Sequence, residues 1–273
     1  MPRDGTLLIW GTHYGLGGWL AASGCDRVVI LNELFDCANL YRHLLEVRAA
    51  GLPEPTVLHV SQLIRQASGI DGPVLYPTSD PAPFLSIARD VQRAEIVIGR
   101  LSRDIADKHH RDDPRLYRAL AAAGARVRLM GATVLAGALA DRPDIELLPE
   151  GALPPHEFLA GLNVFWYRTA ADGVYVEPSG VVVAEAMAAG LPVVAARPGG
   201  FEDLIVHGVT GFLVNDQDGA YEALLALTRD AALRRRMGAA GREEAVRRFG
   251  PAYADALRAV IDAAGPHERT GSS

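Results

Sequence analysis

Cysteine is scarce in this chain: Cys25 and Cys37 are the two among 273 residues. They form neither a disulfide framework nor a metal or redox spacing, which excludes a disulfide-stapled secreted scaffold and fits a reducing compartment. Long apolar runs are also missing, so no segment reads as a membrane span. The opening "MPRDGTLLIW" has neither the basic start nor the apolar run of a secretory signal. Positive charge is in deficit: 27 Lys and Arg against 33 Asp and Glu give a net charge of −6 and a pI near 5.8. That balance argues against nucleic acid or an anionic membrane as the main partner, while leaving room for a local basic patch. These absences lead to the expectation of a cytoplasmic protein, with peripheral contact at the inner membrane face left open.

What is present is a core. Hydrophobic residues make up 49% of the chain and mean hydropathy is +0.10, values of a globular protein. Short apolar stretches alternate with helical ones. "LLIW", "RVVIL", "TVLHV" and "VLYP" (74–77) read as strands, and "DCANLYRHLLEVRAAG" (36–51) reads as an amphipathic helix with Asp36 at its N-cap and Gly51 at its stop. The Pro-rich "PTSDPAP" (77–83) marks a junction. Beyond it, "EIVIG", "RVRLMG", "DIELLPEG", "VFWYR" and "PVVAA" alternate with helical segments. Near-continuous apolar strands separated by helices predict a parallel sheet covered on both faces. The expected layout is a thin first domain over residues 1–92 with about four strands, a larger second domain over 93–264 with about six, and a disordered tail over 265–273.

The stretch "VEPSGVVVAEAMAAGLPVV" carries the first chemistry. Ser179 suits an N-cap, the helix starts near Val181, Gly190 fits its C′ position, and Pro192 follows. Glu177 then lies in the loop before the helix, at the carboxyl end of the sheet where open α/β sheets bind ligands. The N–H groups around Gly180 suit a phosphate. Glu185 interrupts an apolar helix face, so sugar hydroxyls would serve as partners. An ordinary capped helix with two solvated charges explains the pair equally well. "IGRLSRDIADKHH" leaves a strand at Gly99 and offers Arg100 and then Lys108, two cations suited to one diphosphate. "RPGGFEDLIVHGVTGFLV" leaves another strand through Gly199 and Gly200. Taken singly, each of these is also readable as a solvated loop or a turn. The ligand-type residues of "HHRDD" (109–113) are contiguous at a helix start, so a solvated cap is preferred there over a metal site. No Asp-x-Asp pair is placed like a divalent-ion site.

Taken together and in this order, the segments resemble the second domain of the retaining, nucleotide-sugar-dependent GT-B glycosyltransferases, the glycosyl transferases group 1 family. The matching signature is Glu177, seven residues, Glu185, then "AMAAGLPVVA", "GG" and "HGVTGFLV". The resemblance implies an α/β fold of two Rossmann-like domains, here with the N-terminal one reduced. It implies a hexosyltransferase that moves a sugar from a UDP- or GDP-sugar to a saccharide, lipid-linked or small-molecule acceptor, as in polysaccharide biosynthesis. Retention and metal independence come with it, because cationic side chains meet the departing diphosphate, so no cofactor is required. By resemblance Arg100 and Lys108 clamp the diphosphate beside Gly99. Glu177, with Pro178, Ser179 and Gly180, contacts the donor sugar, and Val181 counts among the donor-binding positions. Glu185 holds the ribose, Gly199 and Gly200 approach the ligand, and Glu150 stands near the nucleobase. Asp203, rather than Glu202, aligns with the acidic residue after the double glycine.

The first domain supplies the acceptor side in this family, with a base or a positioning histidine. "GTHYGLGGW" (11–19), with Gly17 and Gly18, reads either as a loop facing the diphosphate or as a structural turn. His13 and His59 are the histidine candidates. An active transferase, completed where needed by a homo-oligomer or second chain, and a weakly active nucleotide-sugar-binding partner subunit both remain open. An epimerase is a third option whose acid and base groups are not placed.

Overall fold

Both alternating sets of residues in Val28–Leu31 are apolar, which suits a strand buried on two faces. A computed structural model describes residues 5–77, 80–89, 95–170, 175–249 and 252–263. The chain divides into two compact units, Met1–Pro77 with Pro251–Ser273, and Thr78–Gly250.

In the first unit, strands β1 (Thr6–Trp10), β2 (Arg27–Asn32) and β3 (Thr56–His59) form a parallel sheet in the order β1-β2-β3. Helix α1 (Ala38–Ala49) connects β2 to β3, and α2 (Gln62–Ser68) follows β3. Val28 and Ile30 pack with Leu40 and Val47 of α1. Val29 and Leu31 pack on the other face with Ile64 of α2. Asp36 accepts a hydrogen bond from the Ala38 N–H at 3.0 Å, although Cys37 is the residue at the cap. The expected strand at 74–77 reduces to one parallel bridge between His59 and Val74, so the described sheet has three strands rather than four. Pro73 and Pro77 flank that bridge and lack the N–H that would extend the ladder.

The second unit starts with the short α3 (Ala82–Leu85). It continues through β4 (Val97–Leu101), α4 (Asp113–Ala122), β5 (Arg126–Met130), β6 (Glu146–Leu148), α5 (Pro155–Ala160), β7 (Val164–Tyr167), α6 (Val181–Ala188), β8 (Val193–Ala196), β9 (Gly211–Val214), α7 (Gln217–Arg229) and α8 (Ala231–Phe249). Among the described residues its six strands are all parallel, in the order β6-β5-β4-β7-β8-β9. Leu116 and Leu120 of α4 and Leu224 and Leu227 of α7 pack against Ile98, Val127, Val164 and Val194. Phe165, Tyr167, Val193 and Ala195, the alternate strand residues, are equally buried, so both faces are covered. The strand order reverses between β4 and β7. That reversal opens a crevice beyond their carboxyl ends, where sheets of this kind bind ligands.

The last helix, α9 (Ala252–Ala263), belongs to the first unit, where Leu257 and Val260 join Val29, Leu31 and Leu58. The division at 77/78 and 250/251 therefore differs from the expected boundary after residue 92 and from the expected run of the second domain to 264. The reason is the apolar stripe of α9, which covers the sheet face of the first unit. The tail at 265–273 lies outside the described residues.

Candidate active site

A cavity of about 400 Å³ opens at the carboxyl ends of β4, β5, β6 and β7. That volume suits a small organic ligand. Leu101, Ser102, Arg103 and Lys108 line it from the β4 side, Met130 from β5, Glu150, Gly151 and Leu153 from β6, and Tyr167 and Glu177 from β7. Val181, Val182 and Glu185 close it from the first turns of α6.

Glu177 is held by three hydrogen bonds in this wall. Its Oε2 accepts from Lys108 Nζ at 2.6 Å and from the Tyr167 hydroxyl at 2.7 Å, and its Oε1 from the Gly180 N–H at 3.3 Å. Burial alone would push its carboxyl up. The Lys108 ammonium, the Tyr167 hydroxyl and the Gly180 N–H outweigh burial and hold it below the usual glutamate value. Glu177 therefore stays ionised at neutral pH. Lys108 also donates to the Tyr175 hydroxyl at 2.8 Å. Tyr167 is fixed beneath this pair by Phe165, stacked at 6.2 Å, and by Phe201, edge-on at 5.8 Å. Burial first, and then the Glu177 charge, raise its phenol well above the usual range, so it remains a donor.

The helix start differs from the expectation. Gly180, at φ 75°, is the cap of α6, and Ser179 makes no capping hydrogen bond. A side chain at Gly180 would be strained by that φ and would strike Phe201. The Glu177 carboxylate takes the N–H of Gly180 instead. The first-turn N–H groups of Val181 and Val182 have no acceptor within the helix, and both residues line the cavity. At the other end Gly190, at φ 72°, follows α6 as expected.

Several expected donor contacts lie behind the wall rather than on it. Arg100 is fully buried. Its guanidinium binds Asp113 at 3.2 Å, bonds the Lys108 carbonyl, and stacks over the Tyr167 ring at 5.1 Å. Arg168 reaches the other oxygen of Asp113 at 2.5 Å and Gln217 at 2.8 Å. Arg100 is thus committed to a buried pair and is not the cavity-facing cation. Arg103, three residues on and exposed, occupies that place with Lys108. Gly99 sits within β4, where a side chain would strike Leu162 and the Arg128 carbonyl. Gly199 and Gly200 are buried and do not line the cavity. Gly199 bridges Glu177, the Gly200 N–H donates to the Glu177 carbonyl at 2.7 Å, and a Cβ on Gly200 would run into the Pro178 carbonyl. The double glycine shapes the Glu177 loop by close backbone approach. Glu202 orders this turn, accepting from Gly199 N–H at 3.1 Å and Arg197 at 2.9 Å.

The "HHRDD" segment is a solvated cap only in part: Arg111 and Asp112 are exposed, with Asp112 at the N-cap of α4, but His109 and Asp113 are interior. Asp113 is buried between two arginines, and buried His109 donates through Nε2 to the Gly131 carbonyl at 2.8 Å. Among the described residues, no group of three or more His, Cys, Asp or Glu is placed to hold a metal ion. A second cavity of about 220 Å³ lies beside Arg89, Arg234 and Arg242. These arginines hydrogen-bond backbone carbonyls, including those of Leu159, Ala189, Leu227 and Ala188, and so cap helix ends. It carries none of the chemistry above.

The residues expected on the acceptor side belong to the first unit. His13 lies 3.1 Å from Glu33 and is half exposed. Gly17 precedes a 3-10 turn, Gly18–Ala22, so the glycine-rich stretch ends in a structural turn. His59 is interior, its Nε2 on the Ile70 carbonyl at 3.0 Å, and burial lowers its pKa. Tyr175 and Arg103 are the site residues that sequence reasoning missed. The strand-end position of Arg103 was the available signal for it, and Tyr175 had none.

Residues 155–244 match the family glycosyl transferases group 1. Over 95 residues the chain is 41% identical to the GDP-mannose-dependent alpha-(1-6)-phosphatidylinositol monomannoside mannosyltransferase of Mycobacterium tuberculosis, covering 33% of this chain and 24% of that protein. Over 269 residues it is 30% identical to the alpha-maltose-1-phosphate synthase of the same species, covering 87% of this chain and 65% of that one. The chain therefore spans less than two thirds of the length of these relatives. Among solved structures it is similar to Anabaena Alr3699/HepE in complex with UDP and glucose, with a TM-score of 0.63, 19% identity and coverage of 85% and 72%. It is also similar to WaaG, a glycosyltransferase involved in lipopolysaccharide biosynthesis, with a TM-score of 0.62, 16% identity and coverage of 87% and 78%. At these identities the two structures speak for the fold, which is of the GT-B type.

Proposed function

We propose that this chain, which resembles the GT-B glycosyltransferases of the group 1 family, moves a sugar from a nucleoside-diphosphate sugar to an acceptor, with retention and without a metal ion. The observation that carries this reading is the buried Lys108–Glu177 pair facing Arg103 and Glu185 across one cavity at the strand-order reversal.

Cleaving the anomeric C–O bond leaves positive charge on the sugar and negative charge on the departing diphosphate. Lys108, Arg103 and the first-turn N–H groups of α6 stand where they would meet the diphosphate. Glu177, kept ionised by its partners, serves the sugar side as a charged acceptor of hydroxyl hydrogen bonds and not as a proton donor. Glu185, on the same face of α6 as Val181 and Val182, is assigned to the ribose hydroxyls. Glu150 is assigned to the nucleobase end. The acceptor takes His13, Gly17 and Gly18 as its candidate contacts. A saccharide, a lipid-linked sugar or a small molecule each fits the family resemblance.

The test is transfer and hydrolysis over a panel of UDP- and GDP-sugars, with and without EDTA, and with product anomers read by NMR. Turnover that EDTA does not change, with retained configuration, is the expected result. Loss of turnover in EDTA, or an inverted product, would overturn the corresponding part. The three-stranded sheet of the first unit favours one other reading, a nucleotide-sugar-binding subunit completed by a second chain. Donor binding with no turnover against any acceptor would select it.

A further inference from the structure

The cavity wall carries three carboxylates, and they are not equivalent. Glu177 is committed to Lys108, Tyr167 and Gly180. Glu185 stands on α6. Glu150 follows β6, three strand positions from β7 in the order β6-β5-β4-β7. At the usual strand spacing that is roughly 14 Å. A nucleoside diphosphate whose phosphates lie at Lys108 has its base at the far end of such a span. The lining there is apolar, from Met130, Leu153 and Pro155, as a flat base requires.

Glu150 is also held in place. Its Oε2 accepts from the Asp104 N–H at 3.0 Å. Asp104 in turn accepts from the Thr133 hydroxyl at 2.5 Å and the Val134 N–H at 3.0 Å. The loops after β4, β5 and β6 are thereby tied together at this carboxylate. An ionised carboxylate only accepts hydrogen bonds, and its two oxygens suit two parallel donors.

That requirement separates the bases. Guanine presents N1–H and N2–H side by side. Uracil presents a single N3–H between two carbonyl oxygens, which would face the carboxylate oxygens. Adenine and cytosine present one amino group beside a ring nitrogen acceptor. Resting on the donor-pocket reading above, we infer that Glu150 reads the base and that the donor is a guanosine-diphosphate sugar.

Calorimetric titration of the full chain with GDP, UDP and ADP at about 0.15 M salt, for the wild type and Glu150→Gln, tests this. Melting of both unliganded proteins checks that they are equally folded. GDP is expected to bind at least about tenfold more tightly than UDP or ADP, a gap that one bidentate contact supplies. Glu150→Gln is expected to weaken GDP by about fivefold or more and to leave UDP within about twofold. UDP or ADP binding as tightly as GDP would overturn the inference. So would a GDP preference that survives Glu150→Gln, or an equal loss for all three, which would assign Glu150 to holding the Asp104 loop. Failure of every diphosphate to bind would instead overturn the donor-site reading, and this inference with it.

Discussion

Lys108 Nζ lies 2.6 Å from Glu177 Oε2, joining residues 69 apart in sequence at the point where the strand order reverses. Both side chains are about nine-tenths buried, so each charge depends on the other. Lys108→Met should cost about 3 kcal/mol, because it leaves an uncompensated buried carboxylate. Lys108→Met with Glu177→Gln together should cost less than the sum of the two single changes. Urea denaturation of the four proteins measures the coupling, and strict additivity would show that the pair does not act as a unit.

Arg100 and Arg103 should behave oppositely. Asp113→Ala strips the carboxylate shared by Arg100 and Arg168 and should destabilise the protein by about 3–5 kcal/mol. Arg103→Ala should change stability by no more than about 0.5 kcal/mol yet weaken diphosphate binding about fivefold or more. Melting curves and calorimetry on the two variants check this. Unchanged diphosphate affinity in Arg103→Ala would remove Arg103 from the site.

Tyr167→Phe keeps the ring between Arg100, Phe165 and Phe201 and removes only the hydroxyl on Glu177. The expected outcome is a loss of about 1–2 kcal/mol in stability and a fall in kcat of about tenfold or more. Affinity for the sugar-free nucleoside diphosphate should stay nearly constant. A parallel loss of nucleotide affinity would mean that the hydroxyl supports the whole cavity and not Glu177 alone.

His109 provides a pH test. Burial first, and then the nearby Arg100 charge, hold its pKa at about 4 against an ordinary 6.5. Between those values the unfolded chain binds the proton and the folded chain does not. Stability therefore rises with pH across this window and is lost as pH falls from about 6.5 towards 4. His109→Gln should flatten that part of the melting-temperature profile. An unchanged slope in the variant would show that carboxylates, not His109, produce it.

The second unit was the more legible part. Strands β4 to β9 are short apolar runs with glycine or proline punctuation, and their alternation with helices leaves little choice but a parallel sheet. In the first unit "VLYP" was apolar enough to look like a strand, but its flanking prolines end the ladder after one bridge. The cap of α6 was misplaced by one residue, because Ser179 is the better capping side chain. The carboxylate of Glu177 takes that place from outside the helix, a contact that capping preference does not encode.

The site divides in the same way. Spacing along one helix and its flanking loops put Glu177, Val181 and Glu185 at one strand end, because all three lie within nine residues and local geometry decides their placement. The order Glu177, Glu185, Gly199–Gly200 and its glycines were likewise readable, as backbone requirements that no other residue meets. Whether Arg100 or Arg103 faces the cavity was not, since both follow the same glycine and carry the same charge. Asp113 on α4, the Lys108 carbonyl and the Tyr167 ring draw Arg100 inward, and these partners lie 13, 8 and 67 positions away. Local sequence determined which side chains stand at the strand ends. Tertiary packing decided which charges are buried against one another and which are left facing a ligand.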